Sequence, residues 1–345
     1  ETIDTTPKSL IILGKYHLSE TTGANTINLA GAEVTQFDRT IVTITLTEAQ
    51  RAAAIGLSGT TGGDGTPLVV HVLANTVFGF GTRGNRLNAS VTLEEIPDTT
   101  PPSIQSTALD LATGILTLSG SETIDATPNT LVDPSLLTLV QSTGDATNAV
   151  GLDGASVSSV DGITITVTLT ELQRVAAIAI SATPGGDGVG MTLSLLKFAV
   201  RDIALNFQNT THNVIVNETA DTIRPNTLSA TLNYSNGLLM IFVDETVDTT
   251  PTSLIHPELF SFVNDNNVAT TSGRVQNINA AQVQTSPDGL SFSIILTEYE
   301  RFRVLEMSDT PGGDGTPVLL EIATGGYFDI GQNSNEHETQ IIVTE

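Results

Sequence analysis

Apolar and polar residues alternate strictly in several short segments, and this pattern predicts β-strands. In residues 163–169 (Ile-Thr-Ile-Thr-Val-Thr-Leu) the alternation places four apolar side chains on one face of a strand and three threonines on the other. Residues 42–46 and 290–296 show the same alternation. Further strands are predicted between turn residues at 103–108, 114–119, 136–141, 190–197 and 212–217. This density of short strands predicts a two-sheet antiparallel sandwich.

One short helix is predicted directly after a strand in three places. Each begins at a threonine followed three positions later by Gln or Glu, the pattern of a capping box: Thr47 with Gln50, Thr170 with Gln173, and Thr297 with Glu300. Residues 171–178 then supply about two turns of good helix formers. The Gly-Gly-Asp-Gly sequence that follows each helix predicts a turn in which φ is positive.

Three landmarks recur in the same order and reveal an internal repeat. They are an acidic Thr-Pro segment at 1–7, 122–128 and 245–251, Leu-Thr-Glu at 46–48, 169–171 and 296–298, and Gly-Gly-Asp-Gly at 62–65, 185–188 and 312–315. The period of about 120 residues is that of one globular domain per repeat rather than of a solenoid unit.

Domain boundaries are expected where proline and acidic residues cluster, at 94–102 and 217–225. We therefore expect three domains, at 1–97, 98–220 and 221–345. Because the linkers are short and contain proline, successive domains should form a semi-rigid rod.

The composition restricts the kinds of molecule that the protein is expected to bind. The chain has 13 Lys plus Arg against 38 Asp plus Glu, a net charge of −25, so we expect no nucleic-acid partner. It has no cysteine, which excludes disulfides, thiolate nucleophiles and cysteine-ligated zinc. No apolar run approaches 18 residues, so we expect no membrane insertion.

The three segments 98–104 (Asp-Thr-Thr-Pro-Pro-Ser-Ile), 114–122 (Gly-Ile-Leu-Thr-Leu-Ser-Gly-Ser-Glu) and 198–206 resemble the tandem Ig-like repeats of large microbial surface proteins, such as S-layer proteins and adhesins. The resemblance covers the whole chain, although residues 223–225 and 327–332 depart from its motifs. It implies an all-β fold of three tandem Ig-like antiparallel β-sandwich domains, each with one short helix, arranged as a rod. It also implies a secreted structural or adhesive protein.

Motifs that carry catalytic chemistry are missing from the sequence. No His-Glu-x-x-His or Gly-x-Ser-x-Gly motif occurs, and no Gly-Lys-Ser/Thr follows the Gly-Gly-Asp-Gly sequences. The five histidines stand at non-equivalent places in the repeats. We therefore predict that the protein is not an enzyme and needs no organic cofactor.

Calcium is the one metal that the sequence suggests, because carboxylates gather at the domain boundaries and hard oxygen ligands suit Ca²⁺. The candidate ligands are Glu94, Glu95, Asp98, Glu122, Asp125, Glu218, Asp221, Glu245 and Asp248. The alternative is an acidic surface that only aids solubility. No Asp-x-Asp-x-Asp loop with a following glutamate is present to decide between them.

Attached glycans are a second expectation. Four Asn-x-Ser/Thr sequons stand at Asn88, Asn209, Asn217 and Asn233. Threonines before proline are candidate O-linked positions: Thr5, Thr6, Thr99, Thr100, Thr249 and Thr250. The alternative for these Thr-Thr-Pro sequences is a plain extended linker.

The first repeat is shorter at its start than the other two. Residues 98–121 and 221–244 precede the acidic segment in repeats two and three, whereas the first acidic segment begins at Glu1. The missing stretch would hold two strands, and about four core side chains are worth roughly 6–12 kcal/mol. We expect residues upstream of Glu1, or a neighbouring subunit through residues 339–345, to supply them.

These features together predict an extracellular or cell-surface structural protein whose copies join head to tail in a fibre or surface layer. The alternative is the stalk of a cell-surface adhesin. Electron microscopy separates the two, because a stalk stays as single rods.

Overall fold

The computed structural model of the chain describes residues 1–142, 147–264, 275–284 and 287–345. Its regular structure is mostly β. The α-helices in these ranges, one in each repeat, are α1 (Glu48–Gly56), α2 (Glu171–Ala179) and α3 (Glu298–Leu305). None of the helices described is long and apolar enough to cross a membrane.

Most strands are three to ten residues long, and they fall into three sets along the chain. The first set is β1 (Tyr16–Ser19), β2 (Thr26–Asn28), β3 (Glu33–Val34), β4 (Ile44–Thr45), β5 (Val69–Val72) and β6 (Ala89–Thr92). The second is β7 (Ile104–Asp110), β8 (Ile115–Ile124), β9 (Leu137–Gln141), β10 (Val150–Gly151), β11 (Ser156–Val157), β12 (Gly162–Thr168), β13 (Met191–Leu195) and β14 (His212–Thr219). The third is β15 (Thr227–Asn233), β16 (Leu238–Val247), β17 (Phe260–Asn264), β18 (Val275–Asn277), β19 (Gln282–Val283), β20 (Gly289–Ile295), β21 (Val318–Ile322) and β22 (Glu338–Thr344).

Repeats two and three each form one curled eight-stranded sheet. The strand orders are β10-β9-β13-β14-β7-β8-β12-β11 and β18-β17-β21-β22-β15-β16-β20-β19. Each sheet curls around its own hydrophobic core, an arrangement compatible with a β-sandwich. The expectation of purely antiparallel sheets is wrong, because the first and last strands of each repeat pair in parallel. They run in the same direction because the chain enters a repeat at one end and leaves it at the other.

The strictly alternating segment 163–169 shows where the sequence pattern holds and where it fails. Ile165, Val167 and Leu169 are buried in the core, as the alternation predicts. Ile163 is 47% exposed, contrary to the prediction. The register between β12 and β8 shifts between Gly162 and Thr164, and this irregularity turns Ile163 out of the core.

The first repeat contains two separate sheets, β2-β1-β5-β6 and β3-β4. Together they match the eight-stranded sheet of repeat two without β7 and β8. In this comparison β6 corresponds to β14, and β4 corresponds to β12. Strand β6 pairs with β5 alone, and all four of its residues are exposed. The core of this repeat has correspondingly fewer fully buried side chains than the other two.

The last strand is already used inside its own repeat. Strand β22 lies between β21 and β15 and forms hydrogen-bonded pairs with both. The expectation that residues 339–345 complete the first repeat of a neighbouring subunit is therefore wrong, because β22 has no free edge to offer.

The predicted capping boxes are confirmed in all three helices. In α2 the Gln173 N–H donates to Thr170 Oγ1 and the Thr170 N–H donates to Gln173 Oε1. Each box fixes the first turn of its helix directly after the strand that precedes it. The helix therefore begins at the same place in every repeat and presents the same face at the boundary with the next.

Candidate functional site at the joints between repeats

Each of the first two helices carries an arginine that reaches into the following repeat. In the first joint, defined by Glu48 and Arg51 of α1 with Asp98 and Glu122, Arg51 Nη1 lies 2.6 Å from Asp98 Oδ2. Its Nη2 lies 2.7 Å from Glu122 Oε2, and its Nε lies 2.7 Å from Glu48 Oε2. One guanidinium therefore binds its own helix, the linker and the first long hairpin of the next repeat.

The second joint, defined by Glu171 and Arg174 of α2 with Asp221 and Glu245, repeats this geometry. Arg174 Nη1 lies 2.6 Å from Asp221 Oδ2, and its Nη2 lies 3.1 Å from Glu245 Oε2. The side chain of Arg174 is only 6% exposed, against 34% for Arg51. The second joint is thus the more deeply buried of the two.

The helix glutamate makes a second bond across each joint. The Thr123 N–H donates to Glu48 Oε1 at 2.8 Å, and the Thr246 N–H donates to Glu171 Oε1 at 3.0 Å. The Leu-Thr-Glu landmark therefore contains both the helix cap and a residue that binds the next repeat.

The first glycine of Gly-Gly-Asp-Gly lies against the backbone of the following repeat. A Cβ on Gly62 would be 2.1 Å from the Ile203 carbonyl oxygen, and a Cβ on Gly185 would be 1.9 Å from that of Ile330. Both glycines also have positive φ, at +88° and +85°. The predicted turn is therefore present, and it is also a contact point of the joint that tolerates no side chain.

Three carboxylates converge at each joint. The first cluster is Asp98, Glu122 and Asp202, and the second cluster is Asp221, Glu245 and Asp329. Within each cluster, one carboxylate oxygen from every residue lies within 4.8 Å of the others. Oxygen atoms at this separation can share one cation.

Burial shifts the carboxylate pKa values most in the second cluster. Desolvation, together with the nearby charges of Asp329 and Asp221, raises the pKa of Glu245 to about 8. Desolvation likewise raises the pKa of Asp329 to about 6, although Asn333 donates hydrogen bonds to this carboxylate. In the first cluster, burial raises the pKa of Glu122. The second cluster therefore holds more negative charge than its surroundings neutralise.

The structure brings together four of the nine predicted calcium ligands, Asp98 with Glu122 and Asp221 with Glu245. Five others lie outside both clusters: Glu94, Glu95, Asp125, Glu218 and Asp248. Glu94 is exposed, and Asp125 forms an ion pair with Arg201 at 2.7 Å inside repeat two. Glu95 and Glu218 each accept two backbone N–H groups within their own repeats. For these residues a shared junctional site stays a prediction, and in the structure their oxygens bind local groups or face solvent.

Asp202 and Asp329, the third member of each cluster, were not predicted from the sequence. Both residues stand at the same place in their repeats, directly before an isoleucine, and the first repeat has Gly79 at this place. The equivalence follows from the isolated β-bridges, which join Asp202 to Ile124, Asp329 to Val247 and Gly79 to Ile3. An alignment of the three copies at this loop would have identified the pair. Their proximity to the linker could not be predicted locally, because they are far from the linker in sequence.

The predicted glycan positions differ in accessibility. All four sequon asparagines are exposed, as are Thr6, Thr99, Thr100 and Thr250. Thr5 and Thr249 are buried, at 0% and 1% exposure. Their backbone N–H groups donate to Asp38 and Asp288, which holds both threonines inside a turn. As O-linked positions these two stay predictions, and their burial makes them less accessible than the other four threonines.

No protein-family model and no curated protein sequence matches the chain. Solved structures that resemble it include titin domains Z1Z2 in complex with telethonin, at 12% identity and a TM-score of 0.16, covering 71% of this chain and 95% of that one. Domains 4–9 of surface layer protein SbsC match at 13% identity and a TM-score of 0.15, covering 97% of this chain and 39% of that one. A marsupial T cell receptor matches at 9% identity and a TM-score of 0.16, covering 95% and 91%. At scores this low, the description of the fold rests on the chain's own sheets and cores.

Proposed function

We propose that the protein is an extracellular, non-enzymatic structural protein of three tandem Ig-like domains, whose copies join head to tail into a fibre or surface layer. The observation that carries this proposal is the repetition of the joint. The same arginine, glutamate and glycine of one repeat bind the same elements of the next repeat in both places where two repeats meet.

Repeat three carries the first half of another such joint. Arg301 of α3 pairs with Glu298, as Arg51 pairs with Glu48, and its Nη1 donates to the Tyr234 carbonyl oxygen. Gly312 corresponds to Gly62 and Gly185, and a Cβ added there would meet nothing closer than 4.0 Å. The surface that contacts the next repeat in the first two copies is therefore uncovered in the third.

Repeat one carries part of the second half. Glu1 and Thr2 correspond to Glu122 and Thr123, because Ile3 and Ile124 form equivalent bridges in their repeats. Phe80 occupies the position of Ile330, which packs against the core of repeat two, yet Phe80 is 63% exposed. A contact surface of the same chemistry is thus exposed in the described structure of repeat one.

The two surfaces are complementary in charge and hydrogen bonding. By analogy with the existing joints, Arg301 of one copy would bind Glu1 of the next, and Glu298 would accept the Thr2 N–H. Assembly through this joint should depend on protein concentration, because the joint connects separate copies.

The unpaired edges of β4 and β6 are a second place where an assembly could add strands. A hairpin equivalent to β7 and β8 would pair with both edges and restore the eight-stranded order. Strand complementation of this kind is compatible with the head-to-tail joint, because the two use different surfaces of repeat one.

Negative-stain electron microscopy and sedimentation velocity of the full chain test the proposal. We expect filaments of uniform width at high concentration, and we expect Glu298→Lys to abolish them because it opposes Arg301 and removes the acceptor for Thr2. The side chain of Glu298 is 78% exposed, so this change leaves the fold intact. Glu258→Lys, a matched charge reversal at another exposed position outside the joint, should leave the filaments unchanged.

Single rods at every concentration would overturn the head-to-tail proposal and favour the alternative, the stalk of a cell-surface adhesin. Filaments that persist in Glu298→Lys would show that copies join through a different surface.

A further inference from the structure

Among the described residues, one oxygen atom in the second cluster has no hydrogen-bond partner. Glu245 is 8% exposed, and its Oε2 accepts from Arg174 while its Oε1 is fully buried and accepts no hydrogen bond from the part of the chain that the structure describes. A buried carboxylate oxygen without a donor costs free energy unless something neutralises it. This atom belongs to the group that already converges with Asp221 and Asp329.

The charges around this oxygen do not balance. Four carboxylates, those of Glu171, Asp221, Glu245 and Asp329, face the single guanidinium of Arg174 within the second joint. The cluster residues are 4%, 8% and 1% exposed for Asp221, Glu245 and Asp329, so water screens them poorly. The arrangement favours an additional positive charge at the centre of the cluster.

We propose that the second cluster binds one divalent cation, calcium, through carboxylate oxygens of Asp221, Glu245 and Asp329. With bonds of about 2.3–2.6 Å, two ligands of one Ca²⁺ ion lie at most about 5 Å apart, and the observed separations meet this limit. The all-carboxylate donor set suits a hard cation and not zinc or copper. Calcium accepts an irregular set of oxygens, whereas magnesium demands a near-ideal octahedron.

Arg174 has a defined place in this site. Its Nη1 and Nη2 hold Asp221 Oδ2 and Glu245 Oε2, which leaves Glu245 Oε1 available to the ion. Asp221 Oδ1 accepts the Ile223 N–H at 3.0 Å, which fixes this carboxylate against the linker. Asn333 donates to both oxygens of Asp329 and to the Asp221 carbonyl oxygen, so it orients the third ligand against the linker. Neighbours of this kind preorganise metal ligands.

The first cluster provides an internal comparison. Asp98, Glu122 and Asp202 have the same arrangement, but Asp98 is only half-buried and Arg51 is more exposed than Arg174. Among the described residues, no oxygen of the first cluster is both buried and without a partner. The site therefore belongs to the second joint. It lies within one chain, so it does not depend on copies joining.

Calorimetric titration of the chelator-treated full chain with CaCl₂ tests the inference. We expect saturable binding at one site, weakened about tenfold or more in Glu245→Gln and in Asp329→Asn, since ligand charge sets calcium affinity. The matched changes in the first cluster, Glu122→Gln and Asp202→Asn, should leave it unchanged. Absence of binding at millimolar calcium, or binding that survives Glu245→Gln and Asp329→Asn, would overturn the proposal.

Thermal melting separates a ligand from a residue that only supports the fold. Glu245→Gln keeps the shape of the side chain and removes a buried charge, so the variant should melt at a higher temperature than wild type without calcium. It should also lose the calcium-dependent rise in melting temperature that wild type shows. A variant that melts lower and keeps the full calcium response would show that Glu245 is structural and contradict the proposed site.

Discussion

Glu245 is a buried carboxylate that interacts with several charged groups of the second joint. It holds Arg174 through one oxygen and leaves the other without a donor, and burial raises its pKa to about 8. Arg174 from α2, Asp221 from the linker, Asp329 from the adjacent loop and Asp244 on its own strand are the charged groups that act on it. Three of these four are acidic, so the protonated form of Glu245 is favoured over its bare negative charge.

The raised pKa gives the stability of the metal-free protein a defined pH dependence. A carboxyl group whose pKa is higher in the folded than in the unfolded state stabilises the fold below its unfolded pKa, near 4.5, and loses this contribution as the pH rises to about 8. The difference between a pKa of 4.5 and one of about 8 corresponds to about 5 kcal/mol. Chemical denaturation in EDTA at pH 5 and pH 8 should therefore show a larger decline for wild type than for Glu245→Gln. Equal declines would mean that Glu245 titrates normally.

The helices differ between repeats at one position of the capping box. In α2, Gln173 Nε2 donates to the carbonyl oxygens of Gly151 and Asp153, at 3.0 and 2.8 Å. In α3 the equivalent Glu300 instead accepts from the Ala280 N–H at 2.9 Å. The residue at this position thus also binds the loop beside its helix. It is an amide where the loop presents carbonyl oxygens, and a carboxylate where the loop presents an N–H group.

This match predicts the effect of exchanging the two residue types. Gln173→Glu would place a carboxylate against two carbonyl oxygens and remove two donors, so we expect the free energy of unfolding of repeat two to fall by about 3 kcal/mol. Leu172→Glu adds the same charge to the same helix at a position that is 82% exposed, and it should be nearly neutral. Urea denaturation followed by circular dichroism measures both variants. A comparable loss in both would mean that charge on α2, and not the lost donors, causes the change.

Local sequence patterns predicted most of the individual elements. The capping boxes and the strands near 104–110, 115–124 and 137–141 follow from short-range periodicity, and the structure confirms them. The parallel pairing of β7 with β14 could not be predicted in this way, because it joins residues about 110 positions apart. The exposure of Ile163 was not predicted either, because nothing in the strictly alternating sequence indicates the irregular register.

At the scale of the whole molecule, each joint connects one repeat to the next through several direct contacts. Each joint combines a buried or half-buried ion pair network with a glycine that lies directly against the next repeat. Two of the three carboxylates in each acidic cluster were predictable from the sequence, because the linker aspartates and the following glutamates stand at matched positions in the copies. The other contributors, Asp202, Asp329 and the arginines of α1 and α2, are distant in sequence and become neighbours only when two repeats meet.

The glycine contact can be tested by adding one methyl group. Gly185→Ala would bring a Cβ to 1.9 Å from the Ile330 carbonyl oxygen, so repeats two and three would have to move apart. Gly188→Ala is the matched control, because Gly188 has a similar φ of +82° and nothing within 4 Å of its Cβ position. We expect small-angle scattering to show greater bending between repeats for Gly185→Ala alone, and we expect it to lose about 2 kcal/mol more stability than the control. Identical scattering of the two variants would exclude this contact as a determinant of the joint.

The parallel pairing of the first and last strands determines how a repeat responds to tension. A force along the chain pulls the start of β7 and the end of β14 in opposite directions, and the same holds for β15 and β22. Since these neighbours run in parallel, the force shears them, and all the hydrogen bonds between them bear load together instead of opening one after another. In repeat one, β6 has no such neighbour in the structure described. Repeats two and three should therefore resist such a force through this shear geometry, and repeat one should do the same wherever a parallel strand lies beside β6.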